Sequence, residues 1–97
     1  MPILKCHRIR FYSRLDEAMF FDALRRIAVV KKIEGGASDL YLSVPSRMSE
    51  KALRELLGLF FRYHVDMHQL APFLTGKNRP WFHLRRAYWF KKVFSNR

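Results

Sequence analysis

Cysteine is nearly missing from this chain. Cys6 stands alone among 97 residues, so no intrachain disulfide can form, and a lone thiol suits a reducing compartment. Acidic residues are scarce as well: 8 Asp+Glu face 19 Lys+Arg, for a net charge of +11. That imbalance says nothing about fold, but it makes polyanions the expected partners, whether nucleic acid, an acidic protein or an anionic membrane. Long hydrophobic runs are missing too, none approaching the roughly 18 residues that span a bilayer. The opening Met1-Pro-Ile-Leu-Lys-Cys-His-Arg8 lacks the apolar stretch of a signal peptide. A cytoplasmic location is expected. There is no P-loop, no G-x-G-x-x-G and no nucleophile elbow.

What is present is apolar and aromatic. Hydrophobic residues make up 49% of the chain and aromatics 15%, too much for a disordered polymer despite the charge. A chain of this length makes one domain with a modest core.

Residues 3–12 alternate, with Ile9 and Phe11 on one side and Arg8, Arg10 and Tyr12 on the other, which predicts a half-buried strand. Ser13, with Asp16 three residues on, reads as a capping box opening a helix that ends near Ile27. Leu15, Ala18, Met19, Leu24 and Ile27 form its expected apolar stripe, widened by Phe20 and Phe21. Val29–Glu34 and Leu40–Val44 read as a hairpin joined through Gly35-Gly36. Ser49 caps a second helix whose inner face is Leu53, Leu56, Leu57 and Phe60, closed by Tyr63 or His64. Asp66–Leu74 reads as a short fourth strand or an irregular crossing, with Pro72 favouring an edge.

The resulting order is that of an α+β, ferredoxin-like β-α-β-β-α-β core over residues 1–74. Residues 75–97 add an aromatic and basic helical segment within the same single domain. On one helical wheel its apolar residues run nearly all round, so the segment is two short pieces or one helix contacted on several sides.

The last carboxylate side chain is Asp66. Seven cations follow it: Lys77, Arg79, Arg85, Arg86, Lys91, Lys92 and Arg97. Interleaved with rings, they predict a binding surface of Trp81, Arg85, Arg86, Tyr88, Trp89, Lys91 and Lys92. Cations meet phosphates and bases stack on rings in nucleic-acid sites, while Trp, Tyr and Arg also dominate protein hot spots. A secondary basic face of Arg8, Arg10, Tyr12 and Tyr41 follows if the sheet has an open side, although the RNP1 pattern is missing around Asp39–Val44. The plain alternative is that the C-terminal segment covers that side.

Signals for chemistry are thin. His64 and His68 share a helix face only if the second helix runs through both, and no third or fourth ligand accompanies them, so no metal or other cofactor is expected. Cys6 and His7 point to opposite faces of a strand, which argues against a dyad of that pair, and nothing in the sequence brings another His to Cys6. His7, His64, His68 and His83 could serve a small nuclease, but no spacing among them is diagnostic.

Leu53-Arg-Glu-Leu-Leu-Gly-Leu-Phe-Phe-Arg-Tyr-His-Val-Asp-Met-His-Gln-Leu70, Asn78-Arg-Pro-Trp-Phe82, Tyr88-Trp89 and Val93-Phe94 resemble small single-domain bacterial immunity proteins of contact-dependent growth inhibition. The resemblance implies a non-catalytic protein that binds and neutralises a toxin domain, and it carries no residue roles. Nuclease toxins are usually basic, so a +11 inhibitor needs an acidic face on the toxin or a binding place away from its nucleic-acid channel. Nucleic-acid binding through the same surface is the alternative expectation, and a small nuclease the third.

Overall fold

The computed structural model describes residues 2–35 and 38–95. Gly36 of the expected hairpin turn and Arg97 of the basic tail lie outside them. Strands β1 (Ile3–His7), β2 (Lys32–Gly35) and β3 (Asp39–Ser43) form one three-stranded antiparallel sheet in the order β1-β3-β2. β1 and β2 both run antiparallel to β3 and so parallel to each other, with helix α1 (Arg14–Arg26) crossing between them. Helix α2 (Glu50–Tyr63) follows β3, then a 3-10 helix (His68–Phe73) and two short helices, α3 (Arg79–Phe82) and α4 (Phe90–Phe94).

The helix starts are built as the sequence predicts. Ser13 Oγ accepts the Asp16 N–H at 3.0 Å, and Asp16 Oδ2 accepts the Tyr12 N–H at 3.1 Å. Ser49 Oγ accepts the Ala52 N–H at 3.1 Å. Each cap satisfies amides that have no partner within the first helical turn.

Leu4, Cys6, Leu42 and Val44 turn inward from the sheet against Phe20, Leu24 and Ile27 and against α2's Leu53, Leu56, Leu57 and Phe60. Tyr63, rather than His64, closes the α2 stripe. The core also includes Phe82, Trp89 and Val93, so the C-terminal segment is built into it. No helix among the described residues is long and apolar enough to cross a membrane.

Several expectations need correction. β1 stops at His7, because Arg8 turns into the left-handed region (φ 48°) with its N–H bonded to Ser38 O. Arg8, Arg10 and Tyr12 therefore leave the sheet and do not share a face with Tyr41. β2 begins at Lys32, three residues later than expected.

α1 is rotated about its axis: Phe20 and Leu24 are buried, whereas Leu15 is 69% exposed and Met19 50%. The cause is a ring cluster. Phe20 stands 4.8 Å from Tyr63, 5.5 Å from Phe11 and 5.6 Å from Phe21, and aromatic rings bury more surface than Leu15 and Met19 offer.

The expected fourth strand does not form; residues 68–73 make a 3-10 helix that contains Pro72. Its place beside β1 is taken by one side chain. Gln69 Oε1 accepts the Lys5 N–H at 2.7 Å, and Gln69 Nε2 donates to Lys5 O at 2.8 Å. A carboxamide has the donor and acceptor of a peptide group, so it satisfies both outward backbone groups of this edge residue.

Cys6 is 1% exposed, and burial pushes its thiol up to about 12 from 9.0. The thiolate is therefore disfavoured in the folded state. Two results are expected: thiol reagents react with Cys6 only after unfolding, and stability is full below pH ~9 but falls as pH rises towards ~12, because the unfolded chain ionises first. A Cys6→Ala control lacks that contribution, so urea midpoints against pH for the two proteins isolate it.

A candidate cationic and aromatic docking face

The C-terminal segment is held from beneath. Asn78 locks the loop before α3: its Oδ1 accepts the Thr75 N–H at 2.7 Å and its Nδ2 donates to Phe73 O at 2.9 Å. Pro80 sits in the first turn of α3, where its lack of an N–H costs nothing. Trp89 donates its indole N–H to Phe82 O at 2.8 Å. Phe82 packs on Phe94 with ring centres 5.0 Å apart, and His83 contacts Phe90 and Phe94 at 5.0 and 4.7 Å.

α4 lies against the 3-10 helix. There His68 joins Asp66 Oδ1 and Ser95 O through its two ring nitrogens, each at 3.0 Å. The tail thus packs on α2 and the 3-10 helix and leaves the outer sheet face uncovered, with Ile3 55% and Tyr41 39% exposed.

Above this base a mixed face is exposed. Phe61 of α2 and Tyr88 of the tail meet edge to face at 4.8 Å, and Tyr88 stands 4.9 Å from Trp89. The Arg54 guanidinium lies 4.3 Å from the Trp81 ring centre, and Lys92 Nζ lies 5.7 Å from that of Phe61, both within cation–π range. Arg85, Arg86, Lys91 and Lys92 are exposed. Burial pushes the Tyr88 phenol above its ordinary value, with nearby Arg54 pulling the other way. None of Arg85, Arg86, Lys91 and Lys92 forms an ion pair among the described residues.

Of the residues expected from sequence, the structure joins Trp81, Tyr88, Trp89 and Lys92, with Arg85, Arg86 and Lys91 exposed on the same segment. Trp89 is 6% exposed, so it anchors the face instead of presenting itself. Arg54, Gly58 and Phe61 join the face from α2, beyond the residues the sequence points to. Their spacing (i, i+4, i+7) puts them on one side of α2, away from the leucine stripe, and that was the available signal.

Gly58 sits beneath Tyr88; a Cβ there would meet only the Tyr88 hydroxyl, at 3.7 Å. Gly58→Ala is therefore expected to stabilise the protein by up to about 1 kcal/mol through helix propensity, read as a raised melting temperature.

Other parts of the surface are organised differently. On the outer sheet face Lys5 pairs with Asp39 at 3.7 Å, His7 also bonds Asp39, and Lys32 pairs with Glu34 at 3.3 Å. The His7 hydrogen bond holds Asp39 below its usual range; burial opposes it, and the Lys5 and His7 charges add to the lowering. This face is charge-compensated, unlike the tail.

His64 ends α2 in the left-handed conformation (φ 58°), so it does not share a helix face with His68. Among the described residues no three of His, Cys, Asp and Glu gather as metal ligands would. Comparison with protein-family models, curated proteins and solved structures finds no match to this chain.

Proposed function

We propose that this is a non-catalytic binding protein that docks an acidic protein through the face built by α2 and the C-terminal segment, and that it serves as a cytoplasmic immunity protein neutralising a toxin domain. The observation that carries the reading is the exposed Phe61–Tyr88 pair beside Arg85, Arg86, Lys91 and Lys92, none of which forms an ion pair among the described residues. An aromatic centre ringed by charge is the usual make-up of a protein hot spot. Arg54 already stacks on Trp81, a position that a nucleic-acid base would otherwise take, and this favours protein over nucleic acid. On the same footing we read the fold as a ferredoxin-like arrangement whose fourth strand is replaced by the Gln69 carboxamide.

Nucleic-acid binding is the second reading, favoured by the lack of any acidic side chain after Asp66. Amide chemical-shift mapping with poly-glutamate as the probe tests the location of the face. Shifts are expected to gather at Phe61, Arg85, Arg86, Tyr88 and Lys92. Shifts gathered instead on the exposed Tyr12, Leu15 and Met19 beside α1 would place the docking face elsewhere.

A further inference from the structure

A groove of roughly 660 Å³ opens between the start of α2 and the loop before α3, within the size range of sites that hold a compact ligand group. Met48, Leu53, Phe73 and Trp81 give it an apolar lining, and Arg47 and Lys77 contribute cations. Its walls are fixed in advance. Ser49 caps α2 on one side. On the other, Asn78 and Thr75 exchange side-chain-to-backbone hydrogen bonds across the loop that carries Lys77.

Glu50 also lines the groove, and its carboxylate is engaged by Arg54 Nε at 2.8 Å. Arg47 and Lys77 form no ion pair among the described residues. The groove therefore joins an apolar patch of Met48, Leu53, Phe73 and Trp81 to a polar rim on which two cations, Arg47 and Lys77, outnumber the one carboxylate, Glu50, that Arg54 already neutralises. Trp81 belongs both to it and to the docking face, which makes the two surfaces continuous.

We propose that the groove receives one apolar side chain of the acidic partner, an aromatic or large aliphatic group, while carboxylates beside it in the partner's chain meet Arg47 and Lys77. This rests on the docking reading above and adds a selectivity to it. The face alone responds to negative charge, whereas the groove requires an apolar residue within that charge. Burying such a group in a preformed apolar site contributes affinity that scales with the area removed from water.

The test uses the full chain and two short fluorescein-labelled peptides, one of glutamates around a single phenylalanine and one with alanine in its place. Anisotropy titrations are expected to show the phenylalanine peptide binding about tenfold more tightly, a difference of about 1.4 kcal/mol. Arg47→Glu with Lys77→Glu should weaken both peptides, and Met48→Arg, which charges the apolar lining, should erase the preference. Thermal melts check that each variant folds. Equal affinity for the two peptides, with binding lost in Arg85→Glu with Lys92→Glu, would overturn the groove and keep the docking face. A phenylalanine preference that survives Met48→Arg would also overturn the groove. Failure of both peptides to bind would overturn the groove and the docking face together.

Discussion

Trp89→Ala is expected to cost about 3–5 kcal/mol of stability, the range for deleting a large buried aromatic. The side chain is 6% exposed, its indole N–H bonds Phe82 O, and its ring meets those of Trp81 and Tyr88. Its loss leaves a cavity and an unmet carbonyl between α3 and α4. Phe82 and Val93, buried in the same core, then lose their cover. At this chain length each kcal/mol lowers the melting temperature by about 4–8 °C, so the effect is plain in a thermal melt. Trp89→Phe keeps most of the packing and loses the hydrogen bond, and should cost less. A loss under about 0.5 kcal/mol for Trp89→Ala, within the range of ordinary surface changes, would mean that the segment is not part of the core.

The opposite pattern is expected of Arg85→Glu with Lys92→Glu. Both residues are exposed and neither forms an ion pair among the described residues, so stability should stay within about 0.5 kcal/mol of the parent. Affinity for an acidic partner should fall by about tenfold or more, because each reversal removes an attraction and adds a repulsion. The association rate should drop with it and lose much of its salt dependence. Unchanged affinity would remove these residues from the docking face. Together the two variants separate what holds the segment in place from what it presents.

The local rules were the legible part of this fold. Ser13 and Ser49 announce their helices, and the Leu53–Phe60 stripe announces the inner face of α2, because capping and periodicity act within a few residues. The rotation of α1 was hidden. Leu15 and Met19 fit a helical stripe as well as Phe20 and Leu24 do, and only the arrival of Phe11 and Tyr63 decides which side is buried. The end of β1 was hidden too, since the alternation runs on through Tyr12 while the backbone turns at Arg8. Gln69 in place of a strand leaves no periodic trace at all. The tail half of the proposed docking face is legible as rings among cations, but its α2 half is not, because Arg54, Gly58 and Phe61 lie outside the leucine stripe and only the arrival of Trp81 and Tyr88 brings them into one surface.

The most direct test of acidic-protein docking is a competition: a labelled glutamate-rich peptide bound to the protein, displaced by single-stranded RNA at about 50 and about 200 mM salt. Neutralising several phosphates makes affinity fall with a log–log slope near −0.7 per contact on a single strand. At the higher salt the expected result is that the peptide stays bound while RNA no longer competes. RNA that displaces the peptide at both concentrations, and itself binds more tightly than the peptide, would contradict acidic-protein docking and make this a nucleic-acid surface.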